Sequence, residues 1–268
     1  MRLVRLLTAC LVVVLAGCSP PVTDTSASST APPMVGSTSY SLLQMNLCMS
    51  GLAPCLEYPE VVREAITVIG AHRPDVVALN EVCSRDVARI SDRTGYHRRF
   101  STVLYGGQPL SCRAPGGRGV FGDAVLTAAK ITATDDHRYS AQSIDPEQRR
   151  WLCVVTSQRV TVCTTHLSSP NEERTAVLRQ CAEFAEVLAV RARRGPTIAA
   201  GDMNNLGSCA PPGMWTHTDR GSAQNPGFQQ VYGSATRLRV ARSEVLPATY
   251  TDHDFLYVRA RLVSPVER

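Results

Sequence analysis

The residues best suited to chemistry lie in Gly201-Asp202-Met203-Asn204, directly after the apolar run Thr197-Ile198-Ala199-Ala200. A short apolar run bounded by Gly and Asn reads as a buried strand ending at a sharp turn. Asp202 and Asn204 stand two apart, so an extended chain points both side chains to one side. A carboxylate beside an amide suits holding a water or a phosphate oxygen next to a hard cation, because Mg²⁺ takes oxygen ligands and few of them from protein. Taken alone, Gly-Asp-x-Asn also fits a plain turn. Four other runs carry the same kind of chemistry at their ends: Gln44-Met45-Asn46, Leu79-Asn80-Glu81-Val82, Thr164-Thr165-His166-Leu167 and Thr251-Asp252-His253, the last preceding Phe255-Leu256-Tyr257-Val258.

These residues need strands to carry them. Ser41 to Asn46 reads as a strand, and Asp75 to Asn80 as a buried strand ending at Glu81. Pro59 to His72 reads as a helix, with Val62, Ala65, Ile66 and Ile69 on one face. Trp151 to Val155 and Val160 to Thr165 form a predicted hairpin that delivers His166. Ser169, Pro170 and Glu172 make a capping box for a helix in which Val177, Cys181, Phe184 and Leu188 recur at helical spacing, until Gly195-Pro196 stops it. That helix leads into the strand before Asp202. Helices alternating with strands in this way predict helix layers outside and sheet within.

The chain's ends read differently. Arg2 and Arg5 precede an apolar run from Leu6 to Leu15, and small residues stand before Cys18. The run is too short to span a bilayer and has the layout of a secretory leader. Residues 1–18 are expected to be a lipoprotein signal with its lipobox at Cys18, and Cys18 the lipidation site. Residues 19–37 are Ser, Thr, Pro and Ala with little to bury, a flexible tether. Residues 38–268 suit one α/β domain. The protein is therefore expected to be exported and lipid-anchored to the outer face of the cell membrane, as a monomer.

Formal net charge is +5 and falls to +3 without Arg2 and Arg5, short of the basic footprint of a dedicated nucleic-acid binder. Lys130 is the only lysine. Beyond Cys10 and Cys18, eight cysteines remain, an even count that in an exported protein reads as disulfides. Cys153 and Cys163 can face each other across a hairpin and Cys48 and Cys55 can close a short loop; the other four are left unassigned. His72, His97, His137 and His217 lack chemical company and read as surface or packing residues, and Trp151 and Trp215 as core or lip residues.

The ordered set of strand ends resembles the endonuclease/exonuclease/phosphatase superfamily, the DNase I-like hydrolases, across the whole of residues 38–268. The resemblance implies an α/β fold, a four-layer α/β/β/α sandwich of two packed mixed sheets, and an Mg²⁺- or Mn²⁺-dependent phosphoric ester hydrolase. It places Glu81, Asn46 and Asp252 at the metal. His166, Asp202, Asn204 and His253 are placed in catalysis, with Thr251 standing where the family's serine does. Gly122-Asp123-Ala124-Val125-Leu126 is similar to a Gly-Asn-Ala segment of the family, with Asp123 in place of the asparagine. Arg149 or Arg150 is expected to reach a phosphate oxygen, and Arg150 is taken for that role. The chemistry agrees: phosphodiester hydrolysis needs a cation, a group that orients or deprotonates water, and donors aimed at developing charge.

One departure stands out. Phe228-Gln229-Gln230-Val231-Tyr232-Gly233-Ser234 matches the strand whose aspartate orients the terminal histidine, and it puts Gln229 at the aspartate's place. A glutamine holds an imidazole by a hydrogen bond but does not stabilise imidazolium as a carboxylate does; Asp254 or Asp219 are candidates to substitute. Within the class a DNase I-like nuclease ranks first, so nucleic acid is the favoured phosphodiester substrate. A phospholipid or sphingomyelin phosphodiesterase or a phosphatase is the alternative, and a non-catalytic binding lipoprotein with a degenerate site the alternative of another class.

Overall fold

The computed structural model describes residues 38–55, 57–143 and 146–263, with backbone alone for 170–172. The expected signal, Cys18 and the tether of residues 19–37 lie outside them. In chain order the elements are β1 (Ser39–Asn46), α1 (Glu60–His72), β2 (Val76–Cys83), α2 (Ser84–Thr94), β3 (His97–Thr102), β4 (Leu104–Tyr105), β5 (Gln108–Pro109), β6 (Phe121–Thr127) and β7 (Ile131–Arg138). There follow β8 (Glu147–Gln148), β9 (Arg150–Thr156), β10 (Thr161–His166), α3 (Pro170–Arg194), β11 (Thr197–Asp202), β12 (Met214–Thr218), β13 (Gln229–Ser234), β14 (Leu238–Leu246) and β15 (Phe255–Leu262).

Two six-stranded sheets form the centre, ordered β14-β15-β1-β2-β6-β3 and β12-β13-β11-β10-β9-β7, with β5-β4-β8 as a small third sheet. Both large sheets are mixed: β1 runs parallel to β2 and β10 parallel to β11, while their other neighbours are antiparallel. The architecture is the four-layer α/β/β/α sandwich.

Strand alternation shows why the layers stack. In β1, Leu43 and Met45 pack on Val62 and Ile69 of α1 and Val87 and Ile90 of α2, whereas Tyr40 and Leu42 face the second sheet. In β11, Ala199 joins Val177, Phe184 and Leu188 of α3, while Ile198 and Ala200 join the layer between the sheets. A period of two sends alternate residues to opposite faces, so each central strand feeds two cores. The face turned to the other sheet changes along its length. β1 reads Tyr40, Leu42, Gln44, Asn46; β2 reads Val76, Ala78, Asn80; β10 reads Val162, Thr164, His166; β11 reads Ile198, Ala200, Asp202. The inter-sheet layer is apolar at one end and polar at the other, and the polar end holds the candidate chemistry.

The helix expected from Pro59 begins at Glu60. Helix α2 was not anticipated. The capping-box expectation falls partly on the Glu172 side chain, which is outside the described residues; at Glu173 the backbone departs from helix (φ −161, ψ 100), so the regular helix starts beyond it. Cys153 and Cys163 are directly opposed across β9 and β10 and are bonded, as are Cys48 and Cys55. The four cysteines left unassigned pair as Cys83–Cys112 and Cys181–Cys209. The second of these ties α3 to the loop after β11, which begins Met203-Asn204-Asn205.

Candidate active site

Each central strand delivers its polar residue by its own local device. At the end of β2 the pairing with β6 shifts between Leu79 and Val82, and Glu81 takes φ +54. A left-handed non-glycine residue costs about 1–3 kcal/mol and is retained where the surroundings over-determine it. Here the irregularity leaves Asn80 buried between the sheets and tips Glu81 to the rim. Asn204 also has positive φ (+44), which asparagine tolerates, and its N–H donates to Asp202 Oδ1 at 3.0 Å in a tight Asx turn. The loop before β15 is pinned by Thr251, whose hydroxyl donates to the Asn46 carbonyl at 3.0 Å. That contact brings Asp252 and His253 to the end of β1.

Glu81, His166, Asp202, Asn204, Asp252 and His253 line one cleft of about 410 Å³, together with Arg149, Ser169, Asn225 and Phe228. Asn46 lies beneath it. Its oxygen accepts the Cys48 N–H (3.1 Å), so its amide nitrogen faces the carboxylates and donates to Glu81 Oε1 (2.9 Å) and Asp202 Oδ2 (3.0 Å). Asn46 therefore bridges two acids rather than turning its oxygen to the cleft as a metal ligand would. Arg150 is a correction. It is paired with Asp136 at 2.7 Å and contacts Ser101, away from the cleft; Arg149 lines the cleft instead and reaches His166 Nδ1 at 2.8 Å. Arg149 is also paired with Glu147 at 2.9 Å. β-strand alternation sends neighbours to opposite faces, so only one of the two arginines can serve the site.

Electrostatics separate the acids. Burial pushes the Glu81 carboxyl up to about 8, against a hydrogen bond from Asn46 that lowers it. Burial likewise pushes Asp123 up to about 7. Asp202 is held below the usual carboxylate range: burial raises it, but the imidazoles of His253 and His166 and donors from Asn46 and the Asn204 N–H outweigh that. Burial, with Arg149 beside it, drives His166 down to about 3, so its ring is neutral. Its Nδ1 faces the Arg149 guanidinium, which only donates. Nε2 lies 3.0 Å from the Asn204 amide nitrogen, which the Leu167 carbonyl requires as a donor at 3.0 Å, and 3.9 Å from Glu81 Oε1. Both ring nitrogens thus face donors while a neutral imidazole accepts at one of them, which leaves a hydrogen of this pair for an anionic oxygen in the cleft.

The donor set fits a hard divalent cation. Glu81 and Asp252 are oxygen donors on one cleft, Asp252 is half-buried, and a cation beside Glu81 would offset the charge that burial disfavours. A second cluster, Cys48, Cys55 and Asp252, has no such standing because its sulfurs are joined in a disulfide.

Behind the cleft lies a buried amide network that the sequence reading passed over. Asn80 Oδ1 accepts from the Asp202 N–H (2.9 Å) and Gln44 Nε2 (2.7 Å), and its Nδ2 donates to Asp123 Oδ1 (2.9 Å) and the Thr165 carbonyl (3.1 Å). Gln44 Nε2 also donates to Gln229 Oε1 (2.8 Å), and Gln229 Nε2 lies 3.1 Å from Asp202 Oδ2 and 3.2 Å from His253 Nδ1. Gln229 therefore occupies the orienting position beside His253. Neither proposed substitute does: Asp219 accepts the N–H groups of Gly227 and Gln229, and Asp254 binds Ser222, Ala223 and Ala248. The available signal for Gln44 and Asn80 was their phase: both continue the inter-sheet face of Leu42 and Ala78, where an amide must find partners. His72, His97, His137 and His217 do not line the cleft; Trp151 is in the core beneath α3, and Trp215 packs at the edge of the inter-sheet layer.

Known structures share this arrangement of layers. The human Nocturnin catalytic domain with bound sulfate is 17% identical, with TM-score 0.65, covering 84% of this chain and 95% of that one. TDP2 of D. rerio, complexed with single-strand DNA product, is 16% identical with TM-score 0.64, covering 83% and 99%. ANGEL2, a 2′,3′-cyclic phosphatase in complex with adenosine-2′,3′-vanadate, is 14% identical with TM-score 0.61, covering 84% and 96%. At such identities the likeness is one of fold, the DNase I-like sandwich. No curated protein matches the chain. A family model does, over residues 53–253, a span that reaches from before α1 to His253 and takes in Glu81, His166, Asp202 and Asn204, and on that match the chain belongs to the Endonuclease/Exonuclease/phosphatase family.

Proposed function

We propose that the protein is a divalent-metal-dependent phosphodiesterase, Mg²⁺ or Mn²⁺ being the ion, with nucleic acid as its favoured substrate. The reading includes export and attachment to the outer membrane face through lipid on Cys18, and a monomeric state. What carries it is the convergence of Glu81, His166, Asp202, Asn204, Asp252 and His253 on one cleft.

Glu81 and Asp252 would hold the cation, which supplies Lewis-acid stabilisation of charge on the phosphoryl oxygens and leaving group. Asp202, ionised, fixed by the Asn46 and Gln229 amides and with His253 Nε2 at 3.3 Å, orients the attacking water. His166 and the Asn204 amide beside it offer a hydrogen where negative charge develops. Arg149 supplies positive charge at the cleft wall and fixes the His166 ring. A shallow hollow of about 200 Å³, lined by Arg174, Val177, Leu178, Leu206 and Phe228, adjoins the cleft through Asn204 and Phe228. An apolar wall beside a phosphate site supports a substrate whose phosphoester carries a flat or apolar group; a nucleobase is the first choice and an acyl or sphingoid chain the second.

The test is hydrolysis by the purified protein of double-stranded DNA, RNA, sphingomyelin and bis-p-nitrophenyl phosphate, with Mg²⁺, Mn²⁺ or a chelator, alongside Glu81→Ala and His253→Ala. Metal-dependent turnover lost in both variants is the expected result, and the preferred substrate settles the subclass. A folded wild-type protein without turnover on any of them would favour the non-catalytic binding lipoprotein.

A further inference from the structure

The amide network fixes more than packing. Amide nitrogen and oxygen are placed by their hydrogen-bond partners, and a chain of amides is determinate once one end is tied to a group of known polarity. The Asp202 backbone N–H is such a group, because it can only donate. Its partner at 2.9 Å must be the Asn80 oxygen, which leaves the Asn80 nitrogen for Asp123 Oδ1 and for the Thr165 carbonyl, itself only an acceptor. The Gln44 atom 2.7 Å from the Asn80 oxygen must then be nitrogen. The same nitrogen is 2.8 Å from Gln229, so that atom of Gln229 is oxygen. The Gln229 nitrogen is thereby turned to Asp202 Oδ2 and to His253 Nδ1, with one hydrogen for each.

We infer that Gln229 is a positioning residue that makes His253 Nδ1 an acceptor and so places the ring's hydrogen on Nε2, through a relay running Asp202 N–H, Asn80, Gln44, Gln229, His253 Nδ1. With Nδ1 accepting, the ring's hydrogen sits on Nε2, whose nitrogen lies 3.3 Å from Asp202 Oδ2. A carboxylate at position 229 would do the opposite. It would accept from Nδ1–H and leave the Nε2 lone pair free to take a proton from water. In this chain His253 presents a hydrogen where a carboxylate-backed histidine would act as a base, and the water-orienting role falls to Asp202. The relay also carries its own mark: Gln44 Oε1 is buried without a hydrogen-bond partner among the described residues, the expected remainder when both Gln44 bonds must leave through its nitrogen.

The inference builds on the phosphodiesterase reading for its consequence, but its test does not use turnover. The protein, labelled with ¹⁵N in histidine and kept metal-free with a chelator at pH 7.5, is examined by long-range ¹H–¹⁵N correlation of the imidazoles. The His253 signals are assigned by their absence in His253→Asn. The expected pattern is a protonated-type shift at Nε2 and an unprotonated-type shift at Nδ1. In Gln229→Glu, of the same length, Nδ1 should move to the protonated type. A wild-type His253 protonated at Nδ1, alone or as imidazolium, overturns the inference whatever the variants do. So does an unchanged tautomer in a folded Gln229→Glu. A correct tautomer with no hydrolysis leaves the relay standing and removes only the phosphodiesterase reading.

Discussion

Replacing Asn80 with alanine would test whether the two sheets are held at their polar end by one side chain. Asn80 is fully buried and makes four hydrogen bonds, two to each side of the interface's chemistry. In Asn80→Ala, Gln44 Nε2 keeps Gln229 as a partner. The Asp202 N–H loses the acceptor it has in the structure, and leaving a buried donor unmet costs about 1–3 kcal/mol. Asp123 loses a side-chain donor as well, and a hydrogen bond to a charged or titratable acceptor is worth about 1.5–3 kcal/mol. Together these predict a loss of about 3–5 kcal/mol, a large share of the roughly 5–15 kcal/mol typical of a folded domain. At about 2–4 °C per kcal/mol for a chain of this size, the midpoint should fall by roughly 10 °C. Urea unfolding followed by far-UV circular dichroism, with the slope unchanged and the midpoint shifted, measures it. A double-mutant cycle with Asp123→Ala should return a coupling of at least about 1 kcal/mol, because the two residues share a bond. A loss under about 1 kcal/mol with no coupling would refute the view of Asn80 as the tie between the sheets.

Further outcomes follow from the site. Glu81 has a folded value near 8 against 4.5 unfolded, so its stabilising contribution is complete below about pH 4.5 and is lost as pH rises through 8; in chelator, the fall in urea midpoint between pH 5 and 9 should be smaller in Glu81→Gln than in the wild type. Arg149→Met should reduce kcat at least about tenfold on any substrate found, while Arg150→Met, which breaks only the Asp136 and Ser101 contacts, should leave kcat within about twofold; steady-state kinetics on both variants would expose a wrong choice of arginine. Opening the Cys181–Cys209 link, which closes a 28-residue separation, should cost about 2–4 kcal/mol in Cys181→Ala/Cys209→Ala and raise KM by loosening the Asn204 loop, measured by unfolding under non-reducing conditions and by substrate titration. His253→Gln should lower kcat without shifting the unfolding midpoint by more than about 2 °C, since the ring sits at the cleft rather than in a core.

What the sequence displayed and what it hid follow from the range over which each feature is determined. The strand ends were legible because each is local: an apolar run gives way to Asn46, Glu81, His166 or Asp202 within a few residues, and alternation decides which side chain turns inward. Helix α3 was legible beyond Glu173 because Val177, Cys181, Phe184 and Leu188 repeat at its own period. The Cys153–Cys163 pair was legible because a hairpin's register is fixed by its turn, whereas Cys83–Cys112 and Cys181–Cys209 join elements whose approach depends on the whole sandwich. Helix α2 escaped for a different reason. Its sequence, Ser84 to Thr94, is mostly charged and polar, and only Val87 and Ile90 mark the buried side; packing on α1 and β2 supplies what local pattern lacks.

The choice between Arg149 and Arg150 shows the limit most clearly. Arg149 stands directly before β9 and Arg150 is its first residue, both are arginine, and a shift of one residue exchanges the cleft for the ion pair with Asp136. Composition and motif cannot decide a question of phase at the first residue of a strand; the register against β10, in which Thr165 faces Trp151, decides it. Gln229 is the converse case. Its position was readable from the motif, and its departure from carboxylate was visible at once, but its meaning was not. Alone, a glutamine beside a histidine can present either its oxygen or its nitrogen, and the two choices give opposite tautomers. The acceptor-only carboxylate of Asp202 on one side, and the passage through Asn80 and Gln44 to the backbone N–H of Asp202 on the other, remove the ambiguity together, and those residues belong to three different strands in two sheets. The function of this site is therefore written in a set of polar contacts that no single stretch of the chain contains.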